Sequence, residues 1–161
     1  LRGPQSAGIL MGKKDLIKAA RLSMPPRGET IGRGMKVNKE EILGMLVAVE
    51  EFIQIDHDAE ALVFLKRIET IKAAADSVPG VITTVSTPVL GNVTPTLSVT
   101  FDYSKIKKTG EAIRLELRNG NPSIETVGGK DNLGITAWSL QEGEDKIVAK
   151  RLKEVLQGAT A

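Results

Sequence analysis

A chain of 161 residues with 41% hydrophobic and 26% charged residues has room for one or at most two small domains. It has no cysteine and one histidine, which excludes disulfides, thiol nucleophiles, Cys-based zinc sites and paired-histidine metal sites. Aromatic residues make up 3%, too few for a base-stacking platform, and the net charge of +2 hides an uneven distribution. Residues 1–40 carry nine Lys or Arg and three acids, a balance of +6, and the remainder balances at −4. The excess at the amino-terminal end is either a solvated face or the mark of an anionic ligand or partner. No apolar run reaches the length of a membrane span and no signal-peptide pattern is present. The expectation is a cytoplasmic protein with neither membrane nor nucleic acid as partner.

The first twelve residues open without Met and run from a Gly-Pro turn into an apolar stretch. They read as the interior of a larger fold, so the chain is expected to be the carboxyl-terminal part of a longer protein. Residues 7–11, bracketed by Gly8 and Gly12, read as a short buried strand. Residues 14–22 read as a short helix with Leu16, Ile17 and Ala20 inward. Pro25-Pro26 forces a loop, and residues 31–37, with Gly32 and Gly34, read as irregular. Asn38 with Glu41 three residues on is a capping box, followed by Ile42, Met45, Leu46, Val49, Phe52 and Ile53 at helical spacing. A second long helix starts near residues 56–58. Ala61, Leu62, Leu65, Ile68, Ile71, Ala75 and Val78 form its apolar face, and Pro79-Gly80 ends it.

Residues 81–87 and 96–102 are β-branched and read as strands, with Leu97, Val99 and Phe101 on one face of the second. Residues 109–118 read as a helix, residues 123–127 and 133–138 as two strands across a turn at Gly128-Gly129, and residues 144–156 as a closing helix. Its inward positions are Ile147, Val148, Leu152, Val155 and Leu156. The order α-β-β-α-β-β-α from residue 58 onward implies an α+β layer, an antiparallel sheet with helices on one face. Residues 1–57 form a separate part with one strand, one short helix and one long helix.

Arg33, Lys36 and Lys39 stand out. They lie just before a helix amino terminus, whose partial positive charge also favours anions. Arg offers a planar fork for carboxylate or phosphate, and Lys a point charge. A solvated basic loop is the competing reading. His57 and its neighbours Asp56 and Asp58 read as polar helix-start residues. Neither Gly32-Arg33-Gly34 nor Gly128-Gly129 has the spacing of a phosphate-binding fingerprint.

The run from Gly3-Pro4-Gln5-Ser6-Ala7-Gly8 to Lys13-Lys14-Asp15-Leu16-Ile17 resembles the stretch that follows the cofactor lysine in bacterial selenocysteine synthase (L-seryl-tRNA selenium transferase) and its D-glucosaminate-6-phosphate ammonia-lyase-like relatives. Residues 31–42 resemble that family's basic segment before a long helix, and residues 143–152 its closing helix. The resemblance implies a pyridoxal-phosphate enzyme of the aspartate-aminotransferase fold. Residues 1–57 would be the tail of its large domain plus the interdomain helix, and residues 58–161 its small carboxyl-terminal domain. It implies that Gly3, Pro4 and Gln5 form the turn beside the cofactor lysine. It implies that Arg33 and Lys36 bind the substrate anion, an amino acid or a phosphorylated amino sugar acid. Lys36 stands where the selenium transferase has Arg, and Asn38 where it has Asp, which favours the lyase-like branch. The Schiff-base lysine would precede Leu1. The chain alone is therefore expected to be inactive, to bind no pyridoxal phosphate, and to lack a partner in the large domain. Its unpaired apolar faces in residues 1–57 would then drive homo-oligomers. The alternative class is a non-catalytic α+β binding or dimerisation module.

Overall fold

Leu97, Val99 and Phe101 alternate with Thr96, Ser98 and Thr100, and this alternation organises the carboxyl-terminal part of the chain. The computed structural model describes residues 1–91 and 93–160, which divide into two compact units, Leu1–Asp56 and His57–Ala161. In the second unit, helix α3 (His57–Asp76) leads into strands β1 (Val81–Ser86) and β2 (Thr96–Phe101). Helix α4 (Gly110–Arg118), strand β3 (Asn132–Thr136) and helix α5 (Glu144–Gln157) follow. The sheet is antiparallel with the order β1-β2-β3. Val81 opposes Phe101, and Leu97 opposes Ile135. One face carries Leu97, Val99, Leu133 and Ile135, buried with Ile68, Ile71, Ile113, Leu152 and Leu156 from the helices. The opposite face carries Thr84, Ser98, Thr100 and Thr136 and is open to solvent to varying degree. This is the α+β layer with helices on one face that the sequence implies.

Local chemistry explains the boundaries. Thr109 caps α4, its hydroxyl accepting from the Ala112 N–H at 3.2 Å. Gly80 turns the chain from α3 into β1 at φ +89°, where a Cβ would stand 2.7 Å from Lys105 Cβ. Arg67 of α3 donates to the Leu140 carbonyl at 2.6 Å and so ties α3 to the segment after β3.

Three expectations fail here. Residues 123–127 form no strand. Val127 alone bridges to Gly134, because the backbone of this segment is drawn elsewhere. The Ile124 N–H donates to the Leu117 carbonyl at 3.0 Å, and the Arg114 guanidinium donates to the Thr126 carbonyl at 3.4 Å. Leu62 is 66% exposed although it is expected on the apolar face of α3. It stands about two and a half turns from Ile71, on the side of the helix away from Ile68, Ile71 and Ala75, which are the residues that meet the core. Ile147 of α5 is likewise half exposed.

The first unit holds helix α1 (Lys14–Leu22), a 3-10 turn (Ile31–Gly34) and helix α2 (Lys39–Phe52). Its only fully buried residue among those described is Gly32. Residues 7–11 are not a strand. They run without ladder bonds, with Leu10 and Met11 exposed, because a strand exists only against a neighbour and no strand is found among the described residues of this unit. No described helix is long and apolar enough to cross a membrane.

Candidate anion site at the start of helix α2

The amino terminus of α2 is built by a capping box. The Glu41 carboxylate accepts the Asn38 N–H at 3.1 Å, and Asn38 occupies the cap position in extended backbone. The same carboxylate accepts the Ser6 hydroxyl, so it also anchors the turn at residues 4–7, which the Ala7 N–H closes on the Pro4 carbonyl at 3.3 Å. Ser6 first, and then the Asn38 amide, hold the Glu41 carboxyl below the usual carboxylate range. Gly3 and Pro4 lie against α2. A Cβ on Gly3 would stand 3.0 Å from the Met45 sulfur, and one on Gly44 would stand 2.9 Å from Pro4 Cγ. Gln5 is exposed at the tip of the turn.

The chain leaves its 3-10 turn at Gly34, four residues short of α2. Gly32 is fixed there by its N–H on the Ser23 carbonyl at 2.9 Å. A Cβ at this position would sit 2.5 Å from that oxygen and 2.5 Å from the Met24 sulfur, so only glycine allows the approach. The contact sets residues 31–37 beside the Met24-Pro25-Pro26 loop. Between them lies a cavity of about 470 Å³ lined by Met24, Pro25, Pro26, Arg33, Met35, Lys36, Val37, Lys39 and Ile42. Arg33, Lys36 and Lys39 thus share one cleft, and no carboxylate lines it. Its size falls in the range of small-ligand pockets. Three cations with no carboxylate among them suit an anion.

The sequence-derived positions fall into two groups. Arg33, Lys36 and Lys39 meet in the cleft. Gly3, Pro4 and Gln5 lie outside its lining and are joined to the start of α2 through Ser6 and Glu41. Sequence reasoning missed the apolar walls. Met24, Met35 and Ile42 carried only the signal of side chains beside a Pro-Pro loop and a cap. It also missed the second role of Glu41. His57 begins α3, its ring 4.0 Å from the Glu60 carboxylate. Among the described residues no cluster of three or more His, Asp or Glu is placed to hold a metal ion.

No protein-family profile matches the chain. Over 157 residues it is 29% identical to the 5'-C-glycyluridine monooxygenase-decarboxylase of a Streptomyces species, an alignment covering 96% of this chain and 38% of that protein. It is 21% identical over 157 residues to the D-glucosaminate-6-phosphate ammonia lyase of Salmonella typhimurium, covering 96% of this chain and 40% of the lyase. The solved structure of a D-glucosaminate-6-phosphate ammonia-lyase matches 81% of this chain with a TM-score of 0.59 at 20% identity, over 35% of that chain. The chain is therefore similar over nearly its whole length to these enzymes and shares a fold with part of the lyase. It spans about two fifths of the length of the curated relatives it matches.

Proposed function

We propose that this chain supplies the substrate-anion site of a pyridoxal-phosphate-dependent lyase or transferase acting on an amino acid or a phosphorylated amino sugar acid. The observation that carries the reading is the convergence of Arg33, Lys36 and Lys39 on one cleft without a carboxylate. The relatives support it. One is named for a glycyl nucleoside, the other for a phosphorylated amino sugar acid. The lyase name also favours the elimination branch over selenium transfer. In this reading the Arg33 fork takes two oxygens of a carboxylate or phosphate, while Lys36 and Lys39 neutralise the remaining charge. Met24, Pro25 and Met35 supply the apolar side of the cleft.

The residues present do not by themselves fit the cofactor. Pyridoxal phosphate needs a lysine amine for its Schiff base, and when bound it acts as an electron sink. The turn at Gly3-Pro4-Gln5 offers no amine, and Lys13 and Lys14 are exposed at the start of α1. The turn fits the part of a supporting wall, braced by Glu41. The chain's own residues carry binding and orientation, not a bond-making step. The proposal therefore includes a large domain that holds the cofactor and covers the exposed Ile42, Leu43, Leu46 and Val47 of α2.

Titration calorimetry with a phosphorylated amino sugar acid, and with the same sugar lacking both phosphate and carboxylate, tests the reading. The expected result is saturable, salt-sensitive binding of the anion alone. The double substitution R33A/K36A is expected to weaken it by about tenfold or more, the scale of losing charge-assisted hydrogen bonds. Equal binding of the neutral sugar, or no effect of the substitutions, contradicts it.

A further inference from the structure

Helix α2 is engaged on two sides. Glu41, Gly44, Met45 and Ala48 fall at i, i+3, i+4 and i+7, one face of the helix, and the amino-terminal turn lies against all four. The Glu41 carboxylate accepts the Ser6 hydroxyl. Pro4 sits on Gly44, where a Cβ would stand 2.9 Å from Pro4 Cγ. Gly3 sits on Met45 and Ala48, which would stand 3.0 and 3.2 Å from a Cβ there. Lys39 and Ile42 lie on another side of the helix and line the anion cleft together with Lys36 and Val37. The two sides meet at one peptide bond. The Asn38 N–H belongs to the peptide that follows Val37, and it donates to Glu41 Oε2 at 3.1 Å. The other oxygen, Oε1, takes Ser6, 35 residues away along the chain. One carboxylate therefore holds the edge of the cleft with one oxygen and the turn with the other.

We propose that Glu41 is a positioning residue that couples the two: an anion in the cleft tightens the docking of residues 4–7 on α2, and the docked turn tightens the cleft's hold on the anion. The proposal rests on the anion-site reading of the cleft. An anion held by Arg33, Lys36 and Lys39 fixes the backbone of residues 36–39, and with it the direction of the Asn38 N–H. That N–H then holds the Glu41 carboxylate in the rotamer that Ser6 meets. The side-chain freedom that docking the turn would cost has already been given up. By thermodynamic reciprocity the docked turn strengthens anion binding by the same factor. The packing of Gly3 and Pro4 keeps the turn on α2 with or without the anion, so what changes is how tightly it is held. Glu41 and the anion carry like charge, and repulsion between them would loosen the turn where ordering tightens it. The sign of the effect therefore separates the two. In the proposed enzyme the turn is a supporting wall, and the substrate anion would firm that wall as it binds.

Two measurements on the full chain, with inorganic phosphate at constant pH and ionic strength, test the coupling. The first is the protection factor of the Ala7 amide, which closes the turn on the Pro4 carbonyl. Saturating phosphate is expected to raise it about fivefold, the lower end of couplings between sites. The turn is docked in the free chain, so the gain appears in exchange and not as a displaced signal. The second is phosphate affinity, read from the amides of residues 24–42. Ser6→Ala removes the hydroxyl and leaves the Asn38–Glu41 bond and every cleft residue in place. It is expected to weaken phosphate about fivefold and to abolish the gain at Ala7. Ser6→Thr, at the same exposed position, returns a hydroxyl and is expected to restore both. A side chain that only propped up the turn would leave phosphate affinity unmoved from outside the cleft. Phosphate binding with Ala7 protection unchanged or lowered overturns the proposal and leaves the anion site standing. Unchanged affinity in Ser6→Ala does the same, as does a Ser6→Thr chain that behaves like Ser6→Ala. No saturable shift at residues 24–42 of the unaltered chain overturns both.

Discussion

Glu41 shows how one side chain can hold two pieces of chain. Its carboxyl is depressed by Ser6 and by the Asn38 amide, so its contribution to folding is complete above its unfolded value of about 4.3 and is lost as pH falls through the lower folded value. The turn at residues 4–7 is expected to loosen from α2 in that acid window, seen as a falling protection factor of the Ala7 amide once intrinsic exchange is divided out. E41Q is expected to remove the pH dependence of that protection and to leave the turn looser at neutral pH. An Ala7 protection factor unchanged from pH 6 to pH 3 contradicts this role. Gly32 is the second decisive residue. A Cβ 2.5 Å from the Ser23 oxygen cannot be accommodated without moving the loop. Gly32→Ala is expected to destabilise the first unit by about 1–3 kcal/mol and to weaken anion binding with it. What the sequence revealed at this scale was charge. Arg33, Lys36 and Lys39 were legible as a set, whereas Met24 and Met35 were not, because an apolar residue becomes a wall only once a loop folds beside it.

At the scale of elements, an apolar residue beside the periodic stripe was counted into it. Leu62 lies about two and a half turns from Ile71, on the opposite side of α3, and is 66% exposed where Ile71 is fully buried. I71A is expected to cost about 2–5 kcal/mol in chemical denaturation and L62A less than about 0.5 kcal/mol. Comparable losses would mean that the Leu62 side of α3 is covered in solution. Both missed strands share a cause. Strand propensity in residues 7–11 and 123–127 is real, but a strand is a pairing between segments. The first has no neighbouring strand among the described residues, and the second has backbone bonds taken by Leu117 and Arg114. Helices, by contrast, close their bonds locally, so the Asn38–Glu41 box placed α2 to within a residue.

At the scale of the whole molecule the two units differ in kind. The buried hydrophobic core lies wholly between Ile68 and Ala159, and the first unit exposes Leu10, Met11, Ile31, Ile42, Leu43 and Leu46. Hydrogen exchange is expected to protect β2, α3 and α5 strongly and residues 1–56 weakly. Apolar surface on that scale is expected to drive self-association of the isolated chain through residues 1–56. A monomer in light scattering at tens of micromolar contradicts that. The division fits the proposed function, in which the first unit presents the anion site and the second folds on its own core.

The central claim is that Arg33, Lys36 and Lys39 form one anion site. Its most direct measurement is a backbone amide NMR titration with inorganic phosphate at low ionic strength. The account predicts saturable shifts confined to residues 24–42, abolished in R33A/K36A and retained when Lys13 and Lys14 are replaced by Ala. Shifts spread over all basic segments, or the same shifts in R33A/K36A, would contradict it.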